Sequence, residues 1–138
     1  THPGLAGSDV PALVLTTDAG ADALRRGGPP RHAEVLALGD AIRPAGIVHA
    51  LADRGAGVVL CEGGPHLIGS LLAVGGVDEL FLTIAPQLAG RSAQTPRLSL
   101  VEGTAFSVSG APWARLVDLR VANDHLFTRY RLHGEPAS

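Results

Sequence analysis

Val58-Val59-Leu60-Cys61-Glu62-Gly63-Gly64-Pro65-His66-Leu67-Ile68-Gly69-Ser70 is the stretch that decides the fold class. Its first four residues are apolar without alternation, the pattern of a strand covered on both faces. Two glycines interrupt the run, Pro65 suits the first turn of a helix, and the segment from His66 to Ala73 reads as helical until Gly75-Gly76 closes it. A strand that passes through a glycine turn into a helix is the building unit of α/β folds.

The same unit recurs upstream. Ala12-Leu13-Val14-Leu15-Thr16-Thr17 is an apolar, β-rich run, after which Asp18 can cap a short helix ending near Arg26 and stopped by Gly27-Gly28-Pro29-Pro30. Glu34-Val35-Leu36-Ala37-Leu38 reads as a second strand. Pro44 opens a helix whose Ile47, Val48, Leu51 and Ala52 recur at helical spacing before Gly55. With a further strand at Leu80-Phe81-Leu82-Thr83-Ile84-Ala85, the alternation predicts parallel βαβ units, with strands 13–16, 35–38 and 58–61 pairing in parallel and helices on both faces.

The last third differs. Residues 86–112 are rich in Pro, Ser and Gly, and two alternating runs, 115–121 and 125–132, then flank Ala122-Asn123-Asp124, a β-hairpin signal. The expected architecture is a mostly parallel α/β sheet finished by a C-terminal antiparallel hairpin.

Composition narrows the chemistry. The chain has 138 residues, 46% hydrophobic and only 17% charged, against about 25% in an ordinary globular domain. Intrinsic disorder is excluded, and one domain with a substantial core is expected. A formal charge of −2 offers no basic footprint for nucleic acid and no polybasic membrane patch. All 11 basic residues are arginine, so a P-loop lysine and a lysine Schiff base are both excluded. The single cysteine precludes an internal disulfide. No apolar run reaches the roughly 18 residues of a membrane helix, and a soluble, cytoplasmic setting is expected. Because the chain contains no Met, residue 1 is read as a trimmed start or as the beginning of the C-terminal piece of a longer chain.

The chemistry concentrates at the glycine turn. Glycines let a ligand approach the backbone, and the unpaired amides and dipole at a helix N-terminus favour an anion such as a nucleotide pyrophosphate. Glu62, at the strand end, can hydrogen-bond a polar substrate from the same edge. The same residues also make a plain strand-to-helix turn, and both readings stay open at this level. Gly64 and Gly69 have P-loop-like spacing, but Ser70 stands where the lysine is required, and no G-x-G-x-x-G fingerprint is present. His2, His32, His49, His66, His125 and His133 form no i,i+4 pair and have no cysteine partner, so no metal site is expected. Cys61 reads as a small core residue rather than a nucleophile, and Trp113 as core packing rather than interface. Asp78-Glu79 face opposite sides if the strand has begun. Arg25-Arg26 meets the dipole at a helix end.

Three pieces together resemble the pyrimidine reductase domain of riboflavin biosynthesis, within the dihydrofolate reductase-like fold. They are Val58-Val59-Leu60-Cys61-Glu62-Gly63-Gly64-Pro65-His66-Leu67, Gly76-Val77-Asp78-Glu79-Leu80-Phe81-Leu82-Thr83-Ile84-Ala85-Pro86, and Phe127-Thr128-Arg129-Tyr130. Leu13-Val14-Leu15-Thr16-Thr17 is similar as well, and the likeness runs from about residue 11 to 132.

The resemblance implies an NADPH-dependent reduction of the ribosyl group of an aminopyrimidine ribose phosphate to ribityl. It implies a substrate-binding role for Glu62 and cofactor binding by Gly63, Gly64, Pro65, His66, Leu67, Ile68, Gly69 and Ser70, with His66 standing where Thr is common. It assigns no catalytic residue. It also implies that residues 1–138 are the C-terminal portion of a single reductase domain whose N-terminal part is missing, that this portion alone is inactive, and that the protein forms a homodimer to which the hairpin contributes. Two other classes fit the residues: a noncatalytic nucleotide-binding or assembly module, and a related enzyme acting on another heterocycle.

Overall fold

A computed structural model describes residues 11–28, 32–94, 96–107 and 109–132. The chain divides into two compact units, Thr1–Val59 and Leu60–Ser138. Pro29, Pro30, His2 and His133 lie outside the described residues.

In the first unit, β1 (Ala12–Thr16) leads into α1 (Asp18–Gly27), followed by β2 (Ala33–Ala37) and α2 (Pro44–Ala52). The two strands pair in parallel, with Val14 opposite Val35 and Leu15 opposite Leu36. The cap of α1 is Thr17 rather than Asp18: the Thr17 hydroxyl accepts from the Gly20 N–H at 3.1 Å, while Asp18 sits in the first turn, where its charge meets the helix dipole favourably. Arg25, in the last turn, pairs with Asp22 at 2.6 Å. Ala21 is fully buried and Ala50 nearly so. Pro44 occupies the first turn of α2, and the chain leaves that helix through Gly55 at a φ of 79°. An Arg54–Glu34 ion pair ties the end of α2 to the start of β2.

In the second unit, α3 (Pro65–Ala73) precedes β3 (Glu79–Ile84), β4 (Ala114–Ala122) and β5 (His125–Leu132). These strands form an antiparallel sheet in the order β3-β5-β4. Asn123 and Asp124 turn the hairpin with φ of 48° and 62°, the left-handed pair that a two-residue turn between twisted strands requires. A bulge lies between Leu116 and Asp118. Leu71, Leu132 and Thr128 are buried, and the Thr128 hydroxyl donates to the Leu82 carbonyl at 3.0 Å.

The α/β class and the terminal hairpin are as the sequence predicts, but, besides the Asp18 cap, three further expectations are corrected. Residues 58–61 form no strand, and Val58, Val59 and Leu60 are 93%, 56% and 78% exposed. An apolar run becomes a strand only through partners for its N–H and C=O groups, and among the described residues no strand borders this one. The expected three-strand parallel set is therefore the single pair β1–β2. Trp113 is 64% exposed instead of packed in a core.

Candidate functional site

The glycine turn delivers the chain into α3 with Gly64 as the N-cap and Pro65 at the first helical position. Gly64 has a φ of −71° and ψ of 173°, extended backbone open to any residue, so backbone strain does not demand glycine here. Space does not demand it either, since a β-carbon on Gly64 would meet nothing within 4 Å. Gly63 is different: a β-carbon there would come within 2.6 Å of Leu67 Cδ2. Leu67 thus folds back over Gly63, while Gly64 faces open space at the mouth of the helix.

The hydrogen bonding at the start of α3 leaves some donors unused among the described residues. The N–H groups of Leu67 and Ile68 both return to the Gly64 carbonyl, at 3.0 and 3.1 Å, and Pro65 has none to offer. The N–H groups of Gly63, Gly64 and His66 make no hydrogen bond among the described residues. Three free amides at a helix N-terminus with an open approach suit an anionic group. Glu62 and His66 are both exposed beside this opening.

Other residues of the expected cofactor set serve the helix itself. Ser70 donates its hydroxyl to the His66 carbonyl at 2.9 Å, Ile68 is half-buried, and Gly69 is buried against the loop that follows β3. A β-carbon on Gly69 would lie 2.8 Å from the Glu102 carbonyl oxygen and 3.1 Å from Val101 Cγ1. Cys61 is half-buried.

That loop is the part of the site that sequence reasoning missed. The Glu102 N–H donates to the Pro65 carbonyl at 3.2 Å, and Gly103, at a φ of 73°, lies beside His66, where a β-carbon would come within 3.0 Å of His66 Nδ1. The loop is braced internally, with the Ser99 N–H and hydroxyl donating to Glu102 Oε1 at 2.6 and 2.8 Å. These bonds from Ser99, backbone first, hold the Glu102 carboxyl below its ordinary range, aided by the nearby charges of His66 and Arg91. The available signal was the Ser99-x-x-Glu102 spacing followed by Gly103, a local bracing pattern concealed in a stretch that reads as irregular.

Asp78-Glu79 lies at the start of the antiparallel sheet. Glu79 opens β3 and is gripped by Arg129 of β5 at 2.9 and 2.7 Å, while the Asp78 carbonyl accepts from the Leu132 N–H.

Residues 5–123 match the RibD C-terminal domain. The chain belongs to the RibD C-terminal domain family. Among solved structures it is similar to a pyrimidine reductase-like protein from Corynebacterium diphtheriae, with a TM-score of 0.67 and 24% sequence identity. That likeness covers 89% of this chain and 50% of the other, so the chain spans about half the length of the structure it resembles. No curated protein matches it. Family membership places the turn at 62–70 and its bracing loop at 99–104 inside the matched region. Among the described residues, no helix is long and apolar enough to cross a membrane.

Proposed function

We propose that this chain contributes the cofactor-side portion of a cytoplasmic, NADPH-dependent pyrimidine reductase that converts the ribosyl group of an aminopyrimidine ribose phosphate to ribityl. The observation that carries the proposal is the mouth of α3, where Gly64 faces open space and the amides of Gly63, Gly64 and His66 are free to receive a pyrophosphate. Membership of the RibD C-terminal domain family supports the reaction class.

The residues present fit such a cofactor. A side chain at position 64 would occupy the space through which a phosphate reaches the amides, and the exposed His66 ring offers a further donor beside them. When bound, NADPH supplies the hydride. The chain's own share is binding and orientation. Gly63 and Gly64 present the backbone, Pro65 fixes the first turn, and Glu62 accepts a hydrogen bond from a polar group of the substrate. The loop at 99–104 keeps the helix start in place. Much of the rate of such a transfer comes from alignment of donor and acceptor carbons, so rigid support of this turn bears directly on turnover.

The test is NADPH oxidation by the complete reductase that carries this portion, with an aminopyrimidine ribose phosphate, followed by mass spectrometry of the product. A product heavier by two hydrogens, formed in step with NADPH loss, is the expected result. Tight NADPH binding with no reduction of any pyrimidine ribose phosphate would instead support a noncatalytic nucleotide-binding module.

A further inference from the structure

We propose that His66 and Glu102 form a proton-linked clamp on the cofactor: the His66 imidazole takes up a proton when a phosphate of NADPH settles at the mouth of α3, and the nearby Glu102 carboxylate favours that uptake. The clamp rests on the cofactor reading above and adds to it a charge that responds to pH.

His66 is the second residue of α3, one step beyond Pro65 and two beyond the Gly64 N-cap. Its side chain is exposed. Neither ring nitrogen has a hydrogen-bond or ion-pair partner among the described residues, so the ring is uncommitted. The loop gives it a seat. Gly103 has a φ of 73°, and a β-carbon there would stand 3.0 Å from His66 Nδ1 and 3.7 Å from Cε1. A side chain at position 103 would therefore push the imidazole aside. Glu102, next in the loop, fastens it to the helix start through its N–H, which donates to the Pro65 carbonyl at 3.2 Å.

Opposed charges act on this ring. The positive end of the α3 dipole, where His66 sits, disfavours a cation. The Glu102 carboxylate attracts one. The Ser99 N–H and hydroxyl donate to its Oε1 at 2.6 and 2.8 Å and hold the carboxyl below its ordinary range, so it is ionised near neutral pH. His66 and Arg91 act on the same carboxyl through space. Glu62 adds a second carboxylate at the turn, Arg91 a competing cation in the loop, and α3 carries no other charged side chain.

A phosphate at the free amides changes that balance. Its negative charge offsets the helix dipole beside the ring, so the protonated imidazole is favoured in the complex relative to the free protein. Histidine is the side chain whose charge ordinarily changes between about pH 5 and 8. Linkage is reciprocal: if bound phosphate favours the proton, the proton favours phosphate, and affinity falls as pH rises through that range. Glu102 adds a constant attraction for the proton, so removing its charge moves the fall to lower pH. A glutamine at 102 keeps an oxygen for the Ser99 donors, which separates the charge from the brace.

The experiment is calorimetric titration of NADPH into the complete reductase that carries this portion, and into His66→Gln and Glu102→Gln, from about pH 6 to about pH 8.5. Titrations near pH 7 in two buffers of different ionisation enthalpy count the protons taken up. The phosphate monoester of NADPH itself titrates near about pH 6, but equally in every variant, so the differences between variants isolate the imidazole. Parent affinity should fall about tenfold more than that of His66→Gln across the range, with proton uptake that the glutamine variant lacks. The Glu102→Gln profile should fall at lower pH than the parent's. Thermal unfolding checks each variant, and His66→Thr is the second uncharged replacement should glutamine disturb the fold. Equal pH slopes and equal proton uptake in the parent and the folded His66 variant would overturn the clamp while leaving NADPH at the turn. A Glu102→Gln profile that superposes on the parent's would overturn the pairing. Failure of NADPH to bind at any pH would overturn the cofactor reading and the clamp with it.

Discussion

Gly69 of α3 and Glu102 of the loop after β3 stand so close that a β-carbon on Gly69 would lie 2.8 Å from the Glu102 carbonyl oxygen. The atom that a β-carbon would meet belongs to the backbone of Glu102, so it cannot swing away as a side-chain tip could. It limits how closely α3 and the loop that braces it can approach. Gly69→Ala would gain about 1 kcal/mol of helix propensity. Overpacking against an unyielding carbonyl is expected to cost about 1–3 kcal/mol, and Gly69→Val should cost more because it adds two methyl groups at the same point. Urea denaturation checks this: the midpoint should fall for Val and by less for Ala.

A second prediction concerns acid. Arg129 donates to both oxygens of Glu79 and, with Arg131, holds its carboxyl below the ordinary value of 4.5. A carboxyl lowered on folding contributes stability above its unfolded pKa, and that contribution is lost as pH falls through the folded one. The parent should therefore lose stability below about pH 4.5, the unfolded carboxylate range. Glu102, lowered by its bonds from Ser99, adds to the same slope. Glu79→Gln should be less stable than the parent at pH 7 and show a shallower fall toward pH 3. Denaturation midpoints across that range give the comparison.

The hairpin turn supplies a third. Asn123, at a φ of 48°, occupies a region that asparagine tolerates and β-branched residues resist. Asn123→Val is expected to lose about 1–2 kcal/mol, whereas Asn123→Gly should be nearly neutral. Thermal unfolding of the two variants separates backbone strain from loss of the side chain, since only the valine suffers the former.

How far these features could be read from sequence follows from the range of the forces behind them. The hairpin at 114–132 was legible because its alternation and its Asn-Asp turn are local, and α3 was legible because Gly-Gly-Pro and the apolar spacing mark its start. Residues 58–61 misled because their apolarity reports a wish for burial, while a strand needs partners for its backbone, and Val58 and Leu60 stand exposed without them. Thr17 displaced Asp18 as the cap by one position, within the usual blur of a helix boundary. The Glu102-Gly103 brace was hidden because its approaches to Pro65, His66 and Gly69 span more than 30 residues of sequence, a separation that no periodicity encodes.

Glu62 is the fourth point of test. It is exposed at the mouth of the turn and is proposed to bond the substrate rather than the cofactor. In the complete reductase, Glu62→Gln should raise KM for the aminopyrimidine substrate roughly 10- to 100-fold, the worth of a charged hydrogen bond, and leave NADPH affinity unchanged. Steady-state kinetics at saturating NADPH distinguishes this from a general loss of the site.

The most direct measurement on the central claim is a calorimetric titration of NADPH into the protein and into Gly64→Val, with thermal unfolding of both in parallel. Position 64 has an ordinary extended backbone and no neighbour within 4 Å of a β-carbon, so the variant should fold as well as the parent. Its side chain would enter the open space at the helix mouth, through which a phosphate is proposed to reach the amides of Gly63 and His66. The expected result is an unchanged unfolding temperature with NADPH affinity reduced at least about tenfold, equivalent to one lost phosphate hydrogen bond of roughly 1.5 kcal/mol. Equal NADPH affinity in a folded Gly64→Val protein would contradict the account and remove this turn from the cofactor site.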